Sequence, residues 1–271
     1  MSLIETEWLD KNLRDVKIID CSWHMAQTQR NGFEEYKLQH IPNAIFFDLD
    51  KNSDKDTNLP HMLVKIDEWE KIVSKMGIKE NDKIVIYDNS DVISSCRCWF
   101  NFIYFGHDPK LVNVLNGGFK KWVSEKRQIT NEKTIIKISN YKSFEKNKLV
   151  KNKMEIDQNI NNQNFKVIDA RSLERFRGKV SEPRKGLRSG SIKNSFCVPF
   201  NQCLNNDKTF KNPEELKNIF KTCLKDINEE NIVFSCGSGV TACVLALAYS
   251  LINDKYLPCI YDGSWAEYGI I

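Results

Sequence analysis

Short apolar runs recur along the chain, separated by longer segments in which apolar residues have helical spacing. The short runs are rich in Val, Ile and Leu and predict buried strands at 17–19, 83–87, 111–115, 166–168, 232–235 and 259–261. Helical patterns lie between them at 66–75, 96–105, 213–223 and 240–251. Because strands alternate with helices, we expect an α/β fold with a doubly wound, mainly parallel sheet flanked by helices in each half.

This order of elements occurs twice. Four blocks of the first half return in the second half in the same order, each after about 150 residues. The paired blocks are 16–20 with 165–169, 40–48 with 191–199, 83–88 with 231–236, and 116–122 with 262–268. Such a repeat indicates a duplicated domain.

Length and charge agree with two globular domains. The chain has 271 residues, of which 41% are hydrophobic and 28% charged. We place the domains at 1–135 and 151–271, with a linker at 136–150 inside a stretch rich in Lys and Asn from 131 to 163. The net charge is only +4, and the basic run at 146–153 is typical of a solvated linker, so no nucleic-acid partner is expected.

The first residues and the cysteines bear on location. The chain begins Met-Ser-Leu-Ile-Glu-Thr-Glu-Trp, without the basic and apolar regions of a secretory signal, and its longest apolar stretch is too short for a bilayer. The nine cysteines are odd in number and lack zinc-type spacing, which predicts free thiols. We therefore expect a cytoplasmic protein with no membrane partner, no metal and no cofactor.

One cysteine has a setting that suits chemistry. The predicted strand at 232–235 ends directly at Cys236, and a helical pattern follows within a few residues. Gly237 and Gly239 let the intervening loop curl, so that successive backbone N–H groups face its centre. These groups and the helix dipole stabilise negative charge, which favours a nucleophilic thiolate. By contrast, apolar patterns typical of buried cysteines surround Cys21, Cys197, Cys223, Cys243 and Cys259.

Several uses of this thiolate are open. A Cys–His hydrolase needs a histidine base, and all four histidines lie in the first half of the chain. A cysteine phosphatase needs an arginine that closes a Cys-x5-Arg loop, and that position is Ala242. The residues therefore indicate a loop that binds a small anion and activates sulfur. They do not supply the full set of groups for a Cys–His hydrolase or for a cysteine phosphatase.

The loop from Cys236 to Thr241, Cys-Gly-Ser-Gly-Val-Thr, together with the tandem repeat, resembles the rhodanese superfamily and within it the 3-mercaptopyruvate sulfurtransferases. The resemblance extends over nearly the whole chain. Further matching segments are 22–25, 35–42, 46–50, 116–119, 169–171, 175–178, 182–184 and 261–265. Each segment is weak alone, but their order and the six-residue loop are specific.

The resemblance implies a reaction and a set of residues. Cys236 would take the sulfur of 3-mercaptopyruvate as a persulfide, release pyruvate and pass the sulfur to a thiol such as thioredoxin, or to cyanide. Arg175 and Arg184 would bind the substrate, and guanidinium groups suit its carboxylate and ketone oxygens. In this family Ser238 corresponds to a loop serine that relays a proton, with Asp50 and His61 as its partners. The remaining loop residues that would contact substrate are Gly237, Gly239, Val240 and Thr241.

The residues after the cysteine bear on the sulfur donor. Thiosulfate-preferring members of the family carry cationic residues there, whereas this chain has the neutral Gly237 and Ser238. That difference favours the monoanionic mercaptopyruvate. In the first repeat Asp88 stands at the position of Cys236, and a carboxylate would repel an anion, so we expect a catalytically silent first domain. Two alternatives stay open: a thiosulfate:cyanide sulfurtransferase and a non-catalytic rhodanese-like binding module.

Overall fold

The computed structural model describes residues 2–271 and divides into two compact units. The first unit comprises the chain up to residue 55 with 63–146 and 206–209, and the second comprises 56–62, 147–205 and 210–271. The units follow the repeat, except that two short segments, 56–62 and 206–209, each belong to the unit built mainly from the other half. This exchange determines where His61 lies.

The first unit contains a parallel sheet with the strand order β1-β5-β4-β2-β3. Its strands are β1 (Leu3–Ile4), β2 (Lys17–Asp20), β3 (Ala44–Phe46), β4 (Ile84–Tyr87) and β5 (Val112–Leu115). Its helices are α1 (Thr6–Lys11), α2 (Gly32–Leu38), α3 (Ile66–Lys75), α4 (Ser95–Tyr104) and α5 (Gly118–Ser124). The central strand β4 is buried along its whole length, as a parallel sheet covered on both faces requires. Its Val85 and Tyr87 pack with Leu9 of α1 and Trp122 of α5.

The second unit repeats this sheet as β6-β10-β9-β7-β8, again all parallel. Its strands are β6 (Val150–Lys151), β7 (Lys166–Asp169), β8 (Phe196–Cys197), β9 (Ile232–Ser235) and β10 (Ile260–Tyr261). Its helices are α6 (Lys153–Asn162), α7 (Leu173–Phe176), α8 (Pro213–Phe220), α9 (Ala242–Ser250) and α10 (Ser264–Tyr268). The same order in both units confirms the predicted α/β class and the duplication.

The stretch at 131–163, which composition suggested as the join, contains β6 and α6. Helix α6 begins with a capping box, in which Asn152 accepts the N–H of Glu155 and Glu155 accepts the N–H of Asn152. Its Ile156 is buried while most of its other residues face solvent. A short helix with such a polar surface has the composition of a linker. None of the described helices has the length and apolar character needed to cross a membrane.

Candidate active site

Cys236 lies directly after β9, and only 2% of its surface is exposed. Ser264 supports the loop: its Oγ accepts the N–H groups of Cys236 at 3.1 Å and Gly239 at 3.2 Å, and it donates to the Tyr261 carbonyl at 2.8 Å. Gly239 has a φ of 75°, a left-handed conformation that closes the turn. Sequence reasoning missed Ser264, although it lies in the segment 261–265 that carries the family resemblance. The loop is therefore a preformed support for the thiol.

Other backbone N–H groups of the loop are available to a ligand. Within residues 2–271, no hydrogen bond uses the N–H groups of Gly237, Ser238, Val240 or Thr241. They precede α9, whose N-terminus adds partial positive charge. An anion at the centre of the loop would thus meet several N–H donors that are not already engaged in hydrogen bonds within the described residues.

Ser238 connects the loop to a histidine and an arginine. Its buried hydroxyl lies 3.0 Å from His61 Nδ1 and accepts a hydrogen bond from Arg184 Nη2 at 3.3 Å. His61 is itself buried and belongs to the segment 56–62 that the second unit incorporates. Although His61 comes from the first half of the chain, the structure brings it to the serine with which the family resemblance pairs it. Its role in a proton relay stays a prediction. The contact that His61 makes to the loop is with the serine hydroxyl.

The two predicted substrate arginines both border Gly237. A methyl group on Gly237 Cα would lie 3.3 Å from Arg175 Nη2 and 3.6 Å from Arg184 Nη1. The glycine therefore leaves two guanidinium groups facing the residue next to the nucleophile. Both arginines are half-buried, which weakens the screening of their charge by solvent. A small substrate with a carboxylate and a ketone would match this pair.

A chain of buried ion pairs holds Arg175 in place. Glu182, whose side chain is 1% exposed, accepts from Arg175 Nη2 at 2.6 Å and from Arg171 Nη1 at 2.8 Å. Arg171 in turn binds the carboxylate of Asp169, with Nη2 at 2.7 Å. Burial alone would lower the pKa of Arg171, but Asp169 and Glu182 outweigh it and raise that pKa above its usual value. Arg175 is thus anchored through Nε and Nη2, and this same Nη2 is its atom nearest to Gly237 of the loop.

Asp50 lies in the first unit, after β3, and is exposed. Its Oδ2 accepts a hydrogen bond from the Trp23 indole at 2.9 Å. The role that the family resemblance implies for Asp50, as a partner of His61, stays a prediction.

The first unit has a counterpart of the loop, and Asp88 fills it. Asp88 Oδ1 accepts the N–H and the hydroxyl of Ser90 at 2.8 and 2.9 Å, and Oδ2 accepts the N–H of Ser95 at 2.9 Å. The carboxylate thus uses the donors that an external anion would need. That the first domain is catalytically silent stays a prediction.

The other cysteines of the second unit have structural surroundings. Burial raises the pKa of Cys197, Cys203 and Cys259 to about 12 and that of Cys223 to about 11. These thiols stay protonated at neutral pH. The Cys243 thiol donates to the Gly239 carbonyl at 3.2 Å, beneath the loop.

Comparison with known proteins defines the class. Residues 5–125 and 153–270 each match the rhodanese-like domain family. The chain therefore belongs to the rhodanese family, as a tandem of two rhodanese-like domains.

Its relatives are sulfurtransferases. The chain is 38% identical to "Thiosulfate/3-mercaptopyruvate sulfurtransferase 1, mitochondrial" of Arabidopsis thaliana, over 98% of this chain and 75% of that protein. It is 34% identical to the 3-mercaptopyruvate sulfurtransferase of Mus musculus, over 98% and 91% of the two chains. Among solved structures, SseA of Escherichia coli, described as a 3-mercaptopyruvate sulfotransferase, superposes with a TM-score of 0.86 at 28% identity, covering 98% of this chain and all of SseA. These relatives confirm the predicted enzyme class.

Proposed function

We propose that the chain transfers the sulfur of 3-mercaptopyruvate, through a persulfide on Cys236, to a thiol acceptor or to cyanide, and releases pyruvate. One observation carries this proposal: the guanidinium groups of Arg175 and Arg184 border Gly237, so that a methyl group on its Cα would lie 3.3 and 3.6 Å from them, directly beside the buried Cys236. Two fixed cations at that place suit a short substrate with a carboxylate and a neighbouring ketone.

The reaction balances without a further reactant. The Cys236 thiolate attacks the substrate sulfur and forms an S–S bond, and the bond from that sulfur to carbon breaks. Its electron pair passes into the carbonyl system, so the leaving group is the enolate of pyruvate, which takes up one proton. The free N–H groups of Gly237, Ser238, Val240 and Thr241 stabilise the charge on sulfur in the loop.

The proton would come through Ser238. Its hydroxyl lies between His61 Nδ1 and Arg184 Nη2, so the histidine can exchange a proton with it while the arginine faces the developing enolate. The family resemblance adds Asp50 as the group that orients His61. Gly239 contributes through the left-handed turn that closes the loop.

The preference for mercaptopyruvate over thiosulfate rests on charge. Gly237 and Ser238 place no cation on the loop itself, and Glu182 balances part of the charge of Arg175. A compact dianion would thus meet too little positive charge on the loop. A monoanion with two separated oxygen acceptors needs less positive charge and can use the two arginines. The Arabidopsis thaliana relative is named for both donors, so both belong in the test.

Acceptor and location complete the proposal. A thiol such as thioredoxin would remove the sulfur in a reducing compartment, where the free cysteines of residues 2–271 also fit. We therefore propose a cytoplasmic location, although one relative is named as mitochondrial. Tagging the chain and imaging it in cells of its source would decide this point.

Steady-state turnover of both donors tests the reaction. We expect a higher kcat/KM for 3-mercaptopyruvate than for thiosulfate, with pyruvate formed in step with sulfur transfer. A Cys236→Ser sample measured in parallel gives the uncatalysed background. A clear preference for thiosulfate would favour the thiosulfate:cyanide alternative, and no turnover of either donor would favour a binding module.

A further inference from the structure

The two repeats can be aligned atom by atom around one buried aspartate. In the second unit the backbone N–H of Arg171 donates to Asp169 Oδ1 at 2.8 Å. In the first unit the backbone N–H of Ser22 donates to Asp20 Oδ1 at 2.9 Å. Both aspartates end the corresponding strand of their sheet, β7 and β2. Ser22 therefore occupies the position that Arg171 has in the second unit.

An aromatic residue aligns in the same way. The backbone N–H of Trp265 donates to the Cys236 carbonyl at 2.9 Å, and the backbone N–H of Phe119 donates to the Asp88 carbonyl at 2.9 Å. The ring of Phe119 thus corresponds to the ring of Trp265. The two sites share an aspartate and an aromatic ring, and differ in having arginine or serine between them.

In the second unit this position holds a guanidinium group. Arg171 Nη2 donates to Asp169 Oδ2 at 2.7 Å and to the Gly190 carbonyl at 2.8 Å. Its guanidinium carbon lies 4.3 Å from the centre of the Trp265 ring. The group is planar, buried, and bound by charge on its edge and by an aromatic ring on its face.

In the first unit a cavity of about 150 Å³ lies at this position. It is lined by Asp20, Ser22, Glu35, Tyr36, Asn89 and Phe119, and its remaining lining residues, Leu38 and Gln39, are exposed and form an opening to solvent. Since a water molecule takes ~30 Å³ of liquid, this volume corresponds to about five water molecules, which is enough for a guanidinium group with its first carbon.

Of the two acidic residues that line this cavity, one is paired with a cation from the part of the chain that the structure describes and the other is not. Glu35 is matched by Arg30, whose Nε and Nη2 donate to it at 2.7 and 2.8 Å. Asp20 is 4% exposed and takes part in no ion pair within the described chain. Burial raises its pKa to about 7, and the nearby charge of Asp88 adds to this. In the second unit Asp169 has the cation that Asp20 lacks.

We propose that this first-domain cavity binds a guanidinium cation, either a small alkylguanidinium or the side chain of an arginine, with its edge on Asp20 and its face on Phe119. The ligand would reproduce in trans what Arg171 does within the second domain. The site is separate from the Cys236 loop, so the inference does not depend on the sulfur donor.

Calorimetric titration of the full chain with methylguanidinium, beside the neutral methylurea of the same shape, tests the proposal. We expect one saturable site per chain for methylguanidinium and none for methylurea. Ser22→Arg, which supplies a tethered guanidinium, should abolish binding, and Asp20→Asn should weaken it by about tenfold or more. Asp67→Asn removes an exposed charge from α3 of the same domain and should leave the affinity unchanged.

Equal binding of methylurea, no saturable binding at all, or an unchanged affinity in a folded Asp20→Asn would overturn the proposal and leave a water-filled cavity. The comparison of the two ligands on the unaltered chain remains decisive even where a variant does not fold. A blocked arginine, acetylated and amidated, separates the two sources. Binding as tight as that of methylguanidinium identifies a protein side chain, and weaker binding identifies a small free cation.

Discussion

Replacing Glu182 by glutamine removes one buried negative charge and keeps the shape of the side chain. The change weakens the hydrogen bonds to Arg171 at 2.8 Å and to Arg175 at 2.6 Å. Because the loss of one partner from a buried ion pair costs about 3–5 kcal/mol, we expect Glu182→Gln to lower the free energy of unfolding by ~3 kcal/mol, toward the lower end since Arg175 is partly solvated. Urea unfolding measures this term.

Catalysis should change as well, since Arg175 loses its anchor beside Gly237. A carboxylate held by Arg175 is bound in the ground state and in the transition state alike, so the loss should appear mainly as a rise in KM. We expect KM for 3-mercaptopyruvate to rise by about tenfold to a hundredfold, with a much smaller change in kcat.

Glu174→Gln is the matched control. Glu174 immediately precedes Arg175 on α7 and is exposed, so this variant removes the same charge from the same segment without touching the buried ion pairs. It should behave like the unaltered enzyme in both assays. If Glu182→Gln keeps the KM of the unaltered enzyme within twofold while it is folded, the ion-pair chain does not position Arg175.

Two further predictions concern single groups. Ser238→Ala should lower kcat for pyruvate release by about a hundredfold with little change in KM, because general acid catalysis contributes ~10²–10⁴ in rate. Stopped-flow detection of pyruvate measures this effect, and an unchanged kcat would show that the serine takes no part in the relay. Asp20 should make stability depend on pH: its pKa of about 7 in the fold exceeds the ordinary value of ~3.9, so the protonated form is favoured and stability is lost as pH rises from 4 through 7, by up to ~4 kcal/mol. Urea unfolding of Asp20→Asn should lack this loss, and equal slopes with pH would contradict the assignment.

Apolar patterning predicted the central elements well. The strands at 166–168 and 232–235 became Lys166–Asp169 and Ile232–Ser235, and the helix at 66–75 is Ile66–Lys75. Such segments are buried and long enough to show their period. Strands of two or three residues, such as Leu3–Ile4 and Phe196–Cys197, are too short to carry one, and their place depends on pairing with distant strands.

The site divides along the same line. A strand that ends in Cys236, followed by two glycines and a helix, is a local pattern, so the loop could be predicted from the sequence. The contact of His61 with Ser238 joins residues 177 positions apart, and the segment 56–62 enters the second unit from the first half. Residue types alone gave no reason to bring that histidine to the loop. The ion pairs of Glu182 likewise depend on how the irregular chain after α7 folds back.

The mass of the intact protein after exposure to 3-mercaptopyruvate without an acceptor tests the central claim most directly. We predict that the unaltered chain and Cys243→Ser each gain one sulfur atom and release one equivalent of pyruvate, whereas Cys236→Ser does neither. The Cys243 thiol lies beneath the same loop, so this control separates the nucleophile from a structural neighbour. Sulfur loading on Cys236→Ser, or pyruvate release without a gain in mass on the unaltered chain, would contradict a persulfide on Cys236.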